Sequence, residues 1–423
     1  MYKKVASTFG IKVIIAILNL AIVIILSRSI GAAGKGDASL ILTSIAMMLL
    51  FCNMIGGSSL VYFVPRYNIF QLFLLSNLWS IIVAIAAFAA LKFFTVIPEI
   101  FVTPIIILTL INSFLATNLT ILLGKEKIMS NNYISLLQTV INLVVLLLLT
   151  KSFHQADIYS YINSLYAAMG ICLLVSTILI WPYLKDISFQ GSKKLLYHLA
   201  KLGMSNQAGH IMQFMSLRVS YYVLAGYSGA AILGVYSNGV SLIESLLLIS
   251  NSFATVLYPK IANTTDIKFA QKLTLQMTKI SIILCLTALI PLLLLPSEFW
   301  IWLFGNEFKD VKQVIILLSP GIIFCNAAVI IGHYFSGTGR YNVNTIANFI
   351  GLIITLASIL FVIPAYGIFE AGLISTLSYL GVTIFVMIYF AKEAQIKVHQ
   401  LLPSVSDFLW LKSQAKIFLK DSK

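Results

Sequence analysis

Charged side chains are scarce in this sequence. Asp and Glu number 14 and Lys and Arg 28, so charged residues make up only 10% of the 423 positions. Soluble domains carry roughly 25% charged residues. Because 60% of the residues are hydrophobic as well, the composition excludes an ordinary water-soluble protein.

The sequence also lacks the motifs of several functional classes. No phosphate-binding P-loop, metal-ligand cluster or nucleophile constellation occurs, so we expect neither an enzyme nor a bound cofactor. The four cysteines lie inside apolar segments and predict no disulfide framework. A nucleic-acid partner would need a basic soluble surface, and the sequence provides none.

Long apolar segments take up most of the chain. Each runs about 20 residues, which matches the thickness of the hydrocarbon core at ~1.5 Å of helix per residue. Lipid offers no partner to an unpaired backbone amide, so these segments must be helices. The sequence therefore predicts an all-α integral membrane protein with about 12 transmembrane helices. The predicted spans are 8–28, 39–64, 69–91, 103–123, 133–150, 160–181, 205–225, 234–257, 278–303, 313–335, 345–363 and 371–390.

Lys and Arg are distributed unevenly between the two sides of the membrane. With 12 spans both termini share one side, which holds 21 of the 28 basic residues, whereas the opposite side holds 6. Basic loops stay in the cytoplasm. We therefore expect both termini to be cytoplasmic and the net charge of +14 to reflect topology.

The second half of the chain repeats short patterns of the first half at corresponding places. Such a repeat, six helices followed by six in the same orientation, is typical of transporters with two lobes. Chance similarity among apolar segments is the alternative. The matching pairs are Phe9-Gly10 with Leu202-Gly203, Val64-Pro65-Arg66 with Tyr258-Pro259-Lys260, and Gly124-Lys125-Glu126-Lys127 with Gly337-Thr338-Gly339-Arg340.

The repeat predicts four regions. Residues 1–184 form an N-terminal six-helix lobe and 205–390 a C-terminal one, joined by a cytoplasmic linker at 185–204. Residues 391–423 form a basic tail, in which Lys412, Lys416 and Lys420 recur every four positions. This spacing predicts an amphipathic helix on the anionic inner leaflet.

Three motifs resemble a known family. They are Ser27-Arg28-Ser29-Ile30-Gly31 with Gly34 and Gly36, Leu233-Gly234-Val235-Tyr236-Ser237 with Pro259, and Ile363-Pro364-Ala365-Tyr366-Gly367-Ile368. Their order resembles Wzx-type polysaccharide flippases of the multidrug/oligosaccharidyl-lipid/polysaccharide exporter (MOP) superfamily, which includes the MATE transporters. Two positions depart from the family pattern: Ser220 stands where the family often has Asp, and Glu370 at or next to a usual Gly.

The resemblance implies a cargo and a location. The cargo would be an oligosaccharide repeat unit of O-antigen, capsule or another surface polysaccharide, linked to polyprenyl pyrophosphate. The protein would flip it from the inner to the outer leaflet of the bacterial cytoplasmic membrane, by alternating access of two lobes around a cationic central cavity. Membrane lipids, and also a polysaccharide polymerase and glycosyltransferases, are the partners that this implies.

Arg218 is the first candidate for the cargo site. It lies well inside the seventh span, where an Arg is costly unless it faces a cavity or a partner. His210 and Gln213 lie on the same helix and predict a hydrated face. Glu244, the one acid well inside a span, could pair with Arg218, titrate during transport, or do both.

Three residues of the first span are further candidates. Lys12 and Asn19 are seven positions apart and share a helix face; Lys12 could meet the pyrophosphate or extend to the interface. Arg28 at the outer end could anchor a loop or contact departing cargo.

Two rival functions remain open from the sequence. A cation-coupled multidrug antiporter of the same superfamily would be expected to carry more membrane-embedded acids than Glu244 alone. A polysaccharide polymerase or ligase would need a large outer loop, and the outer loops predicted here are about a dozen residues at most.

Overall fold

The computed structural model describes residues 2–94, 97–153, 156–187, 192–362, 366–404 and 407. Within these residues the chain forms fourteen α-helices and no strand. They are α1 (Tyr2–Cys52), α2 (Gly57–Phe63), α3 (Ile69–Phe94), α4 (Glu99–Gly124), α5 (Ile128–Leu147), α6 (Ile158–Ile180), α7 (Ser192–Tyr227), α8 (Ala230–Ser245), α9 (Leu247–Ala262), α10 (Ile267–Leu294), α11 (Ser297–Phe304), α12 (Val311–Gly337), α13 (Tyr341–Val362) and α14 (Ile368–Ala394).

Ten segments in the described part of the chain are helical, apolar and long enough to cross a bilayer. Two features account for the difference from twelve. Helix α1 contains residues of both the first and the second predicted span, and α7, which holds the seventh, is not among the ten. The protein is thus an all-α, multi-pass membrane protein. The amphipathic helix predicted from Lys412, Lys416 and Lys420 lies outside the described residues.

The prediction of an outer loop at residues 29–38 is wrong, because the chain there is helical on both sides of a single break at Gly31. Gly31 has φ +68°, a conformation that residues with a Cβ rarely adopt. Lys35 was predicted to lie in that loop; it is instead buried within α1, where its Nζ donates to the Ser39 hydroxyl at 2.8 Å.

The second predicted span, 39–64, is also interrupted. Helix α1 ends at Cys52 and α2 begins at Gly57, which has φ +56°. The consecutive glycines Gly56 and Gly57 supply the turn, which the apolar pattern alone did not reveal.

The structure divides into two compact units. Unit 1 consists of the described residues of Met1–Ile211, Ser228–Gly234 and Leu303–Glu307. Unit 2 consists of those of Met212–Tyr227, Val235–Trp302 and Phe308–Lys423. Two short segments from the second half of the chain, 228–234 and 303–307, thus pack within unit 1.

Unit 1 is built around α4 and α6, which pack against each other, while α2 and α3 pack on α4 and α5 packs on α6. Its buried side chains include Leu60, Leu72 and Leu122. A polar link joins α4 to α6: Asn118 Nδ2 donates to the hydroxyls of Ser176 at 3.0 Å and Thr177 at 2.9 Å. Such interhelical hydrogen bonds satisfy amides inside a membrane bundle.

Unit 2 is built around α12 and α14, and the same pairs of helices pack there. Helices α9 and α10 pack on α12, as α2 and α3 do on α4, and α13 packs on α14, as α5 does on α6. Its buried core includes Tyr334, Phe335 and Phe390. The repeated packing is what a parallel internal repeat produces.

Candidate functional site

Helix α7 carries the polar candidates of the seventh span. Its Ser216 hydroxyl lies 2.7 Å from the Ser378 hydroxyl of α14, and Ser216 and Ser220 are both buried. The C-terminal part of this polar face therefore packs against protein in unit 2. The sequence had predicted a hydrated face that includes Ser220, and for the buried Ser220 this was wrong.

Arg218 and Glu244 form an ion pair within unit 2. Arg218 Nη1 donates to Glu244 Oε1 at 2.8 Å and Nη2 to Oε2 at 2.5 Å, the two-pronged geometry that suits a guanidinium and a carboxylate. Their side chains are only 22% and 19% exposed, so the pair is mostly buried. Of the alternatives for Glu244, the structure contains the ion pair with Arg218.

Two tyrosines complete this cluster, and sequence reasoning missed both. The Tyr379 hydroxyl donates to Glu244 Oε1 at 3.1 Å, and the Arg218 guanidinium lies 5.1 Å from the centre of the Tyr221 ring. Tyr221 follows Arg218 by three positions, a spacing that brings side chains together on a helix. Tyr379 lies in an apolar stretch of α14, where nothing in the sequence marks it.

The other candidates on α1 and α7 stay accessible. Lys12 and Asn19 are exposed on α1, and His210 and Gln213 are exposed on α7. The structure therefore leaves these four side chains accessible to a ligand.

Arg28 contacts the last turn of α11, in the part of that helix that belongs to unit 1. Its Nε donates to the Leu303 carbonyl at 3.0 Å, which fits the loop-anchoring alternative. Next to it, the Glu307 carboxylate accepts from the Ala32 amide at 2.6 Å, just beyond the Gly31 break. Since the break removes the helical partner of that amide, Glu307 serves as a cap for the second part of α1.

Glycines of two family-like motifs meet in unit 1. A Cβ built on Gly36 would lie 1.8 Å from the Ala230 carbonyl oxygen, and one on Gly234 would lie 2.0 Å from that of Ala32. Only glycine allows backbones to approach this closely. The two motifs thus form a tight crossing between α1 and the start of α8.

The departure from the family pattern at Glu370 has a local explanation. Its Oε2 accepts from the Gly367 amide at 3.0 Å at the start of α14. A carboxylate in the first helical turn is favourable for the helix dipole. Residues 363–365 of the same motif lie outside the described part of the chain.

In the described part of the chain, no group of three or more His, Cys, Asp or Glu residues could hold a metal ion.

This architecture is similar to that of solved flippases and multidrug transporters. The structure of the lipid II flippase MurJ in an inward closed conformation matches with a TM-score of 0.71, over 98% of this chain and 91% of that one, at 15% identity. An inward-facing MATE multidrug transporter matches with a TM-score of 0.65, over 90% and 94%, at 13% identity. These likenesses define the fold.

Curated relatives resemble parts of the chain. It is 31% identical over 160 residues, 37% of its length, to the capsular polysaccharide biosynthesis protein CapF of Staphylococcus aureus. It is 22% identical over 244 residues, 57% of its length, to the probable low-salt glycan biosynthesis flippase Agl15 of Haloferax volcanii. The matches span 40% and 51% of those relatives. No protein-family model matches the chain. The predicted resemblance to polysaccharide flippases is confirmed by these partial matches.

Proposed function

We propose that this protein flips oligosaccharide repeat units, linked to a polyprenyl pyrophosphate, from the inner to the outer leaflet of the bacterial cytoplasmic membrane. The observation that carries the proposal is the MOP fold across nearly the whole chain, together with a partial match to a relative named as a glycan biosynthesis flippase. The products would be building blocks of surface polysaccharide.

The cargo sets a physical problem that the proposed site answers. Sugar hydroxyls and two phosphates must cross hydrocarbon, where unpaired polar groups are costly. We assign Lys12, Asn19, His210 and Gln213, which are exposed, to contacts along the path of the headgroup. We propose alternating access as the mechanism, as in other transporters built from repeats.

Arg218 needs a more specific role, because its charge is already paired. Two oxygens of a phosphate group can accept from the guanidinium as the two carboxylate oxygens of Glu244 do, so cargo can compete for Arg218. In this proposal Arg218 exchanges Glu244 for a cargo phosphate during transport. Tyr379 keeps a hydrogen bond to Glu244, which stabilises the carboxylate while Arg218 is engaged elsewhere.

The membrane potential can supply the driving force. Moving a headgroup of charge about −2 outward across ~150 mV releases roughly 7 kcal/mol. Collapsing the potential in vesicles should therefore slow transport, and an unchanged rate would exclude this mechanism.

Gene deletion tests the function. We expect the deletion strain to lose its surface glycan and to accumulate lipid-linked repeat units on the inner leaflet. Re-expression of the protein should restore the glycan. Arg218→Gln should fail to restore glycan while remaining in the membrane. Lys260→Gln, which removes an exposed cation, should restore it. Normal glycan in the deletion strain would refute the proposal.

A multidrug antiporter is the second candidate, favoured by the likeness to a MATE transporter. It predicts that the deletion strain accumulates a cationic dye and keeps its surface glycan. The same strain thus separates the two functions.

A further inference from the structure

A basic depression lies in unit 1 where three turns meet. Its volume is about 380 Å³, within the range of ~300–1,000 Å³ typical of small-molecule sites. The turns join α2 to α3, join α4 to α5, and follow α6. The lining includes Arg66, Asn68, Lys125, Tyr183 and Asp186. All of these turns belong to the predicted cytoplasmic side.

The two cations of the lining, Arg66 and Lys125, and the neighbouring Lys127 lie over aromatic rings. The Arg66 guanidinium carbon lies 3.8 Å from the centre of the Tyr62 ring, and Nζ of Lys125 and of Lys127 lie 5.4 and 5.6 Å from that of Tyr183. A ring face orients a cation without cancelling its charge. Within the described ranges, no carboxylate lies within 4.0 Å of the charged nitrogens of these three side chains.

The depression contains one acid, Asp186. Its carboxylate accepts from Asn68 Nδ2 at 3.2 Å, and its carbonyl accepts from the same nitrogen at 2.8 Å. These bonds hold the segment after α6 against the turn before α3. Arg66 and Lys125 outnumber this single acid in the lining, so the depression remains net positive.

The internal repeat provides a comparison at the turn after α4. There the Lys127 amide donates to the Leu122 carbonyl at 2.9 Å, and in the turn after α12 the Arg340 amide donates to the Phe335 carbonyl at 2.7 Å. Both bonds span five residues. Both turns also have a positive φ at the residue before the cation, 58° and 77°. Lys127 and Arg340 therefore occupy equivalent positions.

The two units treat this cation differently. In unit 2 Arg340 forms an ion pair with Glu393, near the end of α14. The Glu393 carboxylate accepts hydrogen bonds from the Arg340 guanidinium, and these bonds raise the pKa of Arg340. Asp157 is the N-cap residue of α6, and Gly367 is that of α14. Tyr183 follows Asp157 by as many positions as Glu393 follows Gly367, so Tyr183 and Glu393 occupy corresponding positions. Unit 2 neutralises its cation with a carboxylate, whereas unit 1 places an aromatic ring there and leaves the charge available.

We infer that this depression binds the phosphate or diphosphate headgroup of a membrane lipid. An Arg fork and neighbouring Lys point charges are the groups that recognise phosphate oxygens. The depression belongs to unit 1 and the cluster around Arg218 to unit 2, and the inference holds whether or not the protein flips glycans. Two lipids share this chemistry: an anionic phospholipid of the bilayer and a polyprenyl diphosphate carrier.

Ligand titrations on the full-length protein in a phosphate-free maltoside detergent test the site. The probes are farnesyl diphosphate, phosphatidylglycerol and, as the phosphate-free control, diacylglycerol. The test variant combines Arg66→Gln with Lys125→Gln. The matched control combines Lys260→Gln with Lys272→Gln, which removes two exposed cations of the same predicted side from unit 2. A second variant, Tyr183→Glu, gives unit 1 the carboxylate that unit 2 carries.

Loss of charged hydrogen bonds should raise the dissociation constant of the bound lipid at least about tenfold in the Arg66/Lys125 variant. Tyr183→Glu should weaken binding similarly, and the control pair should not. A change confined to farnesyl diphosphate identifies the carrier lipid, and one confined to phosphatidylglycerol identifies the bilayer lipid. Equal affinities in wild type and both test variants, or an equal loss in the control pair, would overturn the inference.

Discussion

The ion pair between Arg218 and Glu244 yields a quantitative prediction. Replacing one member leaves the other charge in a site that is only about one-fifth exposed. Breaking a buried pair in this way costs about 3–5 kcal/mol of unfolding free energy, and partial exposure favours the lower end. We therefore expect Arg218→Met and Glu244→Leu each to lower the unfolding free energy by about 3 kcal/mol.

The double variant should behave differently, because it leaves no unpaired charge. Apolar replacements of a buried pair are often neutral, so the double variant should lie within about 1 kcal/mol of wild type. The coupling free energy is then roughly 5 kcal/mol, well above the ~0.5 kcal/mol expected for independent sites.

Equilibrium unfolding in mixed micelles, followed by tryptophan fluorescence, measures these differences. The exposed pair Lys92–Glu99, whose side chains are 52% and 83% exposed, is the matched control, and its coupling should be near zero. Additive costs at Arg218 and Glu244 would refute the reasoning. A stable double variant that cannot transport would show that the charges serve transport rather than folding.

Two further predictions concern α1. Gly36→Ala places a Cβ against the Ala230 carbonyl and should destabilise the protein by about 1–3 kcal/mol. Gly170→Ala, which meets nothing within 4 Å, should be neutral or stabilise by up to ~1 kcal/mol; equal thermal midpoints for both variants would contradict the close crossing. Glu307→Ala removes the acceptor of the Ala32 amide and should cost about 1 kcal/mol in the same unfolding assay. An unchanged midpoint would show that this contact contributes nothing.

The sequence predicted the class of fold well, because the thickness of the bilayer fixes the length of each apolar segment. The prediction of a loop at residues 29–38 was wrong, because the chain there is helical except for a break at Gly31. Gly31 was recognised as part of a motif, but nothing nearby in the sequence indicated that Glu307, 276 positions later, would cap the helix beyond it. Periodicity reports neighbours on one helix and is silent about such distant partners.

The candidate functional site also contains residues that the sequence could identify and residues that it could not. Arg218 and Glu244 stand out in sequence because charges are rare inside apolar segments, and the structure brings them together. Tyr379 could not be found in this way, since a tyrosine in an apolar helix usually packs and carries no charge signal. The basic depression was missed because Arg66, Lys125 and Tyr183 come from three separate turns.

The helix break at Gly31 has a practical consequence for topology mapping. Reporter tags are normally inserted into a loop, and a hydropathy profile would choose residues 29–38. The backbone there is not a free loop, because Arg28 and Ala32 are held by contacts on either side of the break at Gly31. A tag at that point should abolish expression instead of reporting a side of the membrane. The exposed turn at 263–266, between α9 and α10, is the safer insertion point.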